Sequence, residues 1–269
     1  MQQFAEAADH GDTKLEIMIP CAECALASMP DGGFGQEGVV LRSKAVHVQD
    51  KNLYRATCPE GHQLVAILDN LPFELLFESG LEALADGYLR ESVSSFAAAL
   101  ERLYEFSIRV QLTAANVDAS ELELMWKSVA AQSERQLGMY IGMRTLKEGK
   151  QPVGLSPAQS AFRNSVIHKG YFPDIKEAFE FGEVVFNLIL KEVLRLDECF
   201  KDAVGTQTHA HREKALKSLK TDDPTPNMFG FGLAVADRTD RPFTDVVMKA
   251  QASMRRRRAG EAPSPVSGQ

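Results

Sequence analysis

Four capping boxes between residues 79 and 198 constrain the fold more than any other feature of this sequence. A capping box places Ser, Thr or Asp three residues before Glu or Gln, and the two side chains satisfy backbone N–H groups left free where a helix begins. The boxes are Ser79 with Glu82, Ser120 with Glu123, Ser156 with Gln159, and Asp174 with Glu177. Pro157 adds a residue suited to a first helical position. The region is therefore predicted to be a succession of helices.

Apolar residues in this region recur with the period of a helix. Three lines of them step by three or four residues for most of their length: Leu89, Val93, Phe96, Leu100 and Leu103; Leu122, Trp126, Val129, Leu137 and Tyr140; Val185, Ile189, Val193 and Leu196. Each line marks one buried helix face. Faces of this kind bury themselves against one another, so we expect a mainly α fold with an up-and-down helical bundle over residues 71–200.

The sequence from residue 14 to residue 70 has a different pattern. Its segments LEIMI, GVVLRSKAVHV, NLYRAT and HQLVAIL alternate in the manner of short strands and are separated by turn-forming residues. A small β-rich module is therefore predicted here, after an N-terminal tail over residues 1–13.

Three of the four cysteines lie in this module. Cys21 and Cys24 form the pair CAEC, and Cys58 opens the segment CPEGH, which ends at His62. Three thiolates and one imidazole complete a tetrahedral Zn²⁺ site, so the spacing indicates a zinc ribbon with a structural ion. A module of this size has little core, and metal binding would supply much of its folding free energy. The alternative is a group of reduced, partly buried cysteines near a turn histidine.

The charge of the chain is unevenly distributed. The net charge is −7, and residues 201–269 contain 12 Lys and Arg against 8 Asp and Glu, so the first 200 residues are strongly acidic. This negative charge argues against a protein that coats nucleic acid non-specifically. With no apolar run of membrane length and no secretory signal, we expect a cytoplasmic protein with no membrane partner. Residues 201–269 are predicted to be a partly disordered C-terminal extension that includes the basic run Arg255–Arg258.

The segment AFRNSVIHKGYF places Arg163, Asn164 and His168 on a short predicted helix that ends at Gly170. One interpretation is local, since Arg and His in a last turn interact favourably with the helix dipole and bond free carbonyl groups. The wider context offers another. RNSVIHKGYFPDIKEAFEFGE resembles the Arg–Asn–x–x–x–His signature of the HEPN superfamily, and GYLRESVSSFAAALERLYEF is similar to the long first helix of that family. The resemblance covers roughly residues 79–198.

The resemblance implies a metal-independent endoribonuclease that needs no cofactor for catalysis. Its substrate would be RNA, and Arg163, Asn164 and His168 would act at a site between two copies of the chain in a homodimer. It also implies a toxin or anti-phage defence effector restrained by a regulatory or inhibitory protein. Some members of the family do not cut RNA, so the alternative is a non-catalytic zinc-ribbon and HEPN module that binds a protein or nucleic acid.

Helix geometry bears on the dimer. Residues five apart on a regular helix point about 140° from each other, whereas residues four apart share a face. Arg163 and His168 of one chain therefore converge poorly. A two-fold dimer that packs this helix against its own copy would bring the two residue types together.

Overall fold

The computed structural model describes residues 15–28, 43–49, 51–230, 234–235 and 241–258. The chain divides into two compact units: the first contains Met1–Asp69 and Ala210–Gly230, and the second contains Asn70–His209 and Phe231–Gln269. The tail expected over residues 1–13 and the residues after 258 lie outside the described residues. The side chains of the basic run Arg255–Arg258 are likewise outside the description.

The first unit contains two small sheets and one short helix. Its elements are β1 (Glu16–Pro20), α1 (Ala22–Ala27), β2 (Ser43–His47), β3 (Leu53–Thr57), β4 (Gln63–Leu68) and β5 (Asn227–Phe229). Strand β1 pairs antiparallel with β2, β3 pairs antiparallel with β4, and β4 pairs parallel with β5. The β-rich character predicted for the N-terminal region is confirmed, with strands where the alternating segments lie.

The C-terminal part of the first unit was missed by the sequence prediction. Ala215 and Leu219 pack against Leu53, Val65 and Ile67 of β3 and β4. These contacts and β5 make residues 210–230 an ordered part of the same unit as the strands. The boundary drawn at residue 200 falls inside a helix, because the polar residues that follow it mask the helical period in the sequence.

The second unit is helical, which confirms the mainly α prediction for the chain. Its helices are α2 (Pro72–Ala85), α3 (Leu89–Ala114), α4 (Ala119–Val129), α5 (Ser133–Glu148), α6 (Pro157–His168), α7 (Ile175–Leu216, whose last residues belong to the first unit) and α8 (Phe243–Arg258). Helix α7 contains a non-helical residue at Phe200. Among the described residues, no helix has the length and apolarity needed to cross a membrane.

Aromatic rings fill the core of this unit. Phe77 on α2, Phe96 on α3 and Phe186 on α7 are almost fully buried, and all three lie near the ring of Phe243 on α8. Helix α8 was not predicted, because it lies in the region read as a partly disordered extension. Its Phe243 is nevertheless part of the main core.

Two of the four predicted capping boxes are correct. Ser156 accepts a hydrogen bond from Gln159 N, and Asp174 and Glu177 bond each other's backbone N–H groups. Ser79 was wrong as a helix start, because α2 begins seven residues earlier at Pro72. Ser120 was also wrong, since it lies inside α4 and the capping residue is Asp118.

The apolar lines are confirmed for α3 and α7, where most members are buried. The line through residues 122–140 was wrong as a single helix, because the chain breaks between α4 and α5. Leu137 on α5 is 39% exposed. A polar group takes part of the expected apolar interior instead: buried Glu192 on α7 accepts hydrogen bonds from Ser107, Tyr140 and Arg144.

Candidate functional site

The first candidate site is a cluster of Cys21, Cys24, Cys58 and His62 in the first unit. The ligand atoms of these four residues all lie within 4.8 Å of one another. The three cysteines are buried, and His62 is partly exposed. The structure thus brings together the four residues named from the sequence, in an arrangement that can hold a metal ion.

Two turns aim these side chains at one point. Cys21 caps the start of α1, and its Sγ accepts a hydrogen bond of 3.4 Å from the backbone N–H of Cys24. On the other side, Cys58 N donates to His62 O over 3.0 Å, and Gly61 closes the turn with a φ of 88°. Glycine adopts this left-handed conformation without a steric penalty, which explains its place in the segment CPEGH.

The distances within the cluster are short and similar. His62 Nδ1 lies 3.5 Å from Cys21 Sγ, 3.3 Å from Cys24 Sγ and 3.5 Å from Cys58 Sγ. The Sγ atoms of Cys24 and Cys58 are 3.8 Å apart. The second ring nitrogen of His62 lies 3.6 Å from a carboxylate oxygen of Glu23, which is the kind of outer partner that fixes a metal-binding imidazole.

The thiols influence one another's protonation. Burial and then the neighbouring thiols raise the pKa of Cys24 to about 12. Burial also acts to raise the pKa of Cys58, but hydrogen bonds from the backbone N–H groups of His62 and Glu60, and from the other thiols, lower it to about 7. Three thiolates at this spacing need a cation between them. Binding of a metal ion would therefore release protons.

The second candidate site is on α6 in the second unit. The capping box at Ser156 starts this helix, and Val166 anchors it in the core of the unit. Arg163 forms an ion pair with Glu101 on α3, and its Nη1 donates to Asn164 Oδ1 over 2.9 Å. Arg163 is therefore held against α3 by a partner that the sequence analysis did not identify.

His168 lies apart from this pair. It is exposed on the last turn of α6, before Gly170, which has a φ of 72°. Within the described residues, no hydrogen bond or ion pair joins His168 to Arg163 or Asn164. The structure thus brings Arg163 and Asn164 together and leaves the imidazole accessible on another part of the helix, as their five-residue spacing requires.

Exposed apolar side chains follow His168 in the chain. Phe172 is 78% exposed, and Tyr171 and Ile175 nearby in the chain are also exposed. The guanidinium of Arg90 lies 5.9 Å from the centre of the Phe172 ring, and Arg90 Nε donates to Val166 O over 3.3 Å. We call Arg90, His168, Tyr171, Phe172 and Ile175 the His168 surface.

Arg163 and Asn164 also line a cleft of about 280 Å³ in the second unit. The cleft is bounded by α3, α5, α6 and residues 151–155, and His168 is not among its lining residues. Tyr104 and Glu101 of α3 contribute polar atoms to it.

Comparison with known proteins adds no relative: no protein-family model, curated protein or solved structure matches this chain.

Sequence reasoning missed Glu101, Glu23 and Tyr104. Glu23 lies inside the segment CAEC, so its position between two residues of the Cys and His cluster was a usable signal. Glu101 is 62 residues from Arg163, and no local pattern indicates that pairing. Tyr104 follows Leu103, the last residue of a predicted buried face, and the helical period alone did not mark it.

Proposed function

We propose that this protein is a metal-independent endoribonuclease of the HEPN type, whose active site forms between two copies of α6. The observation that carries the proposal is the sequence Arg163–Asn164–x–x–x–His168 on one ordered surface helix, with an exposed imidazole and a guanidinium within the same few turns. The proposal includes the role that the resemblance implies, a toxin or anti-phage defence effector that a regulatory or inhibitory protein restrains in its own cell.

The proposed chemistry uses the 2′-hydroxyl of RNA as the nucleophile. Its oxygen attacks the adjacent phosphorus while a base removes its proton, the bond from phosphorus to O5′ breaks, and an acid protonates O5′. The products are a 2′,3′-cyclic phosphate and a 5′-hydroxyl. Two His168 side chains, one from each copy, would supply the base and the acid, since imidazole exchanges protons near neutral pH.

Arg163 would stabilise the negative charge that develops on the phosphoryl oxygens. A guanidinium suits this role because it stays charged and offers two parallel N–H donors. Asn164, hydrogen-bonded to Arg163, would orient that guanidinium. Glu101 forms an ion pair with the other Nη of Arg163, so the arginine is positioned before RNA binds. Preorganisation of this kind reduces the ordering needed when substrate arrives.

The His168 surface supports the homodimer. Phe172, Tyr171 and Ile175, which follow His168 closely in the chain, expose apolar area, and apolar area of this kind commonly marks an interaction site. A two-fold contact at this surface would bury these side chains. It would also bring two copies of His168 near each other, which a single chain does not do.

We further propose that Cys21, Cys24, Cys58 and His62 bind one structural Zn²⁺. Bond lengths of about 2.3 Å to sulfur and about 2.0 Å to nitrogen in a tetrahedron place two thiolates about 3.8 Å apart, and a thiolate and an imidazole nitrogen about 3.6 Å apart. The separations of 3.8 Å between Cys24 and Cys58 and 3.3 to 3.5 Å to His62 fit these values. Four protein ligands leave no position for a reacting water, so the ion would stabilise the fold and take no part in catalysis.

The test of the nuclease uses purified full-length protein and single-stranded RNA in the presence of EDTA. We expect cleavage to 2′,3′-cyclic ends. His168→Ala should abolish cleavage and leave the dimer measured by light scattering intact. His47→Ala, which removes an exposed histidine of the first unit, is the matched control and should cut normally. Equal activity of the wild type and His168→Ala would refute the proposal.

A mixing experiment tests whether the site is shared between copies. Wild-type and inactive His168→Ala proteins, unfolded together in equal amounts and refolded, should keep only about a quarter of the wild-type activity, because a site that needs both copies of His168 works only in wild-type homodimers. Retention of about half of the activity in verified mixed dimers would place the site within one chain, against the proposed arrangement.

The ion pair between Arg163 and Glu101 favours one rival function. Under it, Arg163 joins α6 to α3, His168 interacts with the dipole at the end of α6, and the protein is a zinc-stabilised module that binds a protein or nucleic acid without cutting. The RNA cleavage assay in EDTA separates this rival from the nuclease, because a non-catalytic module forms no 2′,3′-cyclic phosphate with any variant. Arg163→Ala would then lower the thermal stability with no activity to lose.

A further inference from the structure

The cleft beside Arg163 is reached by the Tyr104 hydroxyl, which has no hydrogen-bond partner among the described residues. Tyr104 is 7% exposed, and its ring stacks on Tyr140 with the centroids 4.4 Å apart. Within the described residues its hydroxyl makes no hydrogen bond. A Cβ added at Gly154, across the cleft, would lie 4.0 Å from the Tyr104 hydroxyl oxygen. The hydroxyl is not among the fully buried polar atoms that lack a partner, so it is accessible from the cleft and can bond a polar atom of a ligand.

The charges of the cleft restrict the chemistry of that ligand. Glu101 and Glu134 contribute two carboxylates and Arg163 one guanidinium, which is already paired with Glu101. Carboxylates accept hydrogen bonds and do not donate them. With two carboxylates and one guanidinium, the cleft is a poor site for phosphate alone, and beside Arg163 it favours a neutral group that presents N–H donors.

The walls of the cleft favour a ligand with a flat apolar face. They include Leu100, Leu137, Ile141 and Leu155, and the volume of about 280 Å³ is at the lower limit of small-molecule sites. A single aromatic ring system fits this space, and a larger ligand would extend into solvent. Asn164 lies at the edge, where its Oδ1 is occupied by Arg163 and its amide N–H groups are left to donate.

We propose that this cleft binds a guanine base of RNA, at the nucleotide adjacent to the phosphate held by Arg163. The choice of RNA as the polymer rests on the proposed function. Guanine is the RNA base whose Watson–Crick edge carries two neighbouring N–H donors, N1 and N2, which one carboxylate accepts as a pair. Its O6 accepts from a hydroxyl or amide donor of the kind that Tyr104 and Asn164 provide.

The test is calorimetric titration of the full-length protein with 3′-GMP, 3′-AMP, 3′-CMP, 3′-UMP and inorganic phosphate, each to about 10 mM. We expect 3′-GMP to bind at least about tenfold more tightly than the other nucleotides, and phosphate alone to bind weakly or not at all. Glu134→Gln should remove most of the preference for guanine. Tyr104→Phe keeps the stacked ring and should weaken 3′-GMP binding by about fivefold.

Gly154→Leu fills the cleft and should abolish 3′-GMP binding. It lies between α5 and α6 and has no left-handed φ, so a side chain is tolerated at this position. Glu180→Gln is the control, because it removes an exposed carboxylate of α7 outside the cleft and should bind 3′-GMP like the wild type. Equal binding of the four nucleotides, no binding of any, or unchanged binding by Gly154→Leu would overturn the inference.

The outcome can be separated from that of the nuclease. Binding of 3′-GMP that is lost in Gly154→Leu, in a protein that cuts no RNA, would keep the cleft assignment and refute the proposed function. Cleavage of RNA with no excess of guanosine beside the cut, in a protein that binds no 3′-GMP, would do the reverse.

Discussion

Single side chains set the charge state of several groups in this molecule, and the clearest case is Asp223 in the first unit. Arg55 on β3 donates two hydrogen bonds to its carboxylate, at 2.8 and 2.5 Å, and Lys220 N donates a third at 2.7 Å. These bonds lower the pKa of Asp223 from its ordinary value near 3.8 to about 2, and the hydrogen bonds from Arg55 have the largest effect.

We predict a stability contribution from Asp223 that depends on pH. Because the folded-state pKa is lowered, the contribution is fully present above about pH 4 and is lost as the pH falls through about 2. Arg55→Met should raise the pKa of Asp223 towards its ordinary value and remove this part of the acid dependence. NMR titration measures the pKa of the Asp223 carboxyl in the wild type and in Arg55→Met. An unchanged Asp223 pKa in Arg55→Met would contradict the assignment.

At the same scale, the sequence predicted the four residues of the Cys and His cluster, but not the residues that contact the candidate sites. Cys21, Cys24, Cys58 and His62 were found because metal ligands follow short fixed spacings, and the structure places their ligand atoms together. Glu101 and Tyr104 escaped notice because their roles depend on tertiary contacts. A glutamate on a helix is usually solvated, and only the packing of α6 on α3 turns Glu101 towards Arg163.

At the scale of elements, two serines offer a matched test of helix capping. Ser156 and Ser79 each precede Glu or Gln by three residues, but only Ser156 caps a helix, while Ser79 lies inside α2. Ser156→Ala should lower the free energy of unfolding of the second unit by about 1 kcal/mol. Ser79→Ala should leave it nearly unchanged or raise it slightly. Denaturant unfolding monitored by circular dichroism compares the two, and equal losses would contradict the cap assignment.

Two glycines of α7 test how closely its neighbours approach. A Cβ at Gly182 would lie 2.6 Å from the Phe96 ring and 2.9 Å from the Phe243 ring, whereas a Cβ at Gly205 would meet no atom within 4 Å. We expect Gly182→Ala to destabilise the protein by about 1–3 kcal/mol through overpacking. Gly205→Ala should be neutral or stabilising by up to about 1 kcal/mol, since alanine favours a helix. Thermal unfolding distinguishes them, and a neutral Gly182→Ala would contradict the close packing.

The helices show how much of the fold can be predicted from sequence patterns. Helices α3, α6 and α7 were predicted because their caps or apolar faces are regular. Helices α4 and α5 were joined into one because the apolar line continues from Trp126 to Tyr140 across a break that no Gly or Pro marks. The interior there is partly polar, so the hydrophobic period alone did not reveal the true buried residues, such as Gln136 and Arg144.

At the scale of the whole molecule, the C-terminal third was the hardest to predict. Strand β5 is three residues long and pairs parallel with β4, so its place depends on a partner that lies more than 150 residues earlier. Helix α8 is rich in charge, yet Phe243 joins the main core. Neither feature has a local sequence signal strong enough to separate it from a solvated tail.

The division into two units leads to a prediction for metal removal. The residues of the Cys and His cluster all lie in the first unit, whereas the main core of aromatic and aliphatic side chains lies in the second. A small unit with few buried side chains depends more on a metal ion than one with a large core. Chelation should therefore increase amide hydrogen exchange in β3, β4 and β5, and leave the exchange of α3 and the first part of α7 nearly unchanged.

The variants make this test specific. Cys21→Ser should lose the one equivalent of zinc expected per chain and reproduce the exchange pattern of the chelated protein. Cys199→Ser removes an exposed free cysteine of α7 and should keep the metal and the exchange of the wild type. Metal content by mass spectrometry and exchange measured on the same samples give both readouts. Loss of protection in both units of Cys21→Ser would show that the metal supports the whole chain, and retention of zinc by Cys21→Ser would remove that thiol from the site.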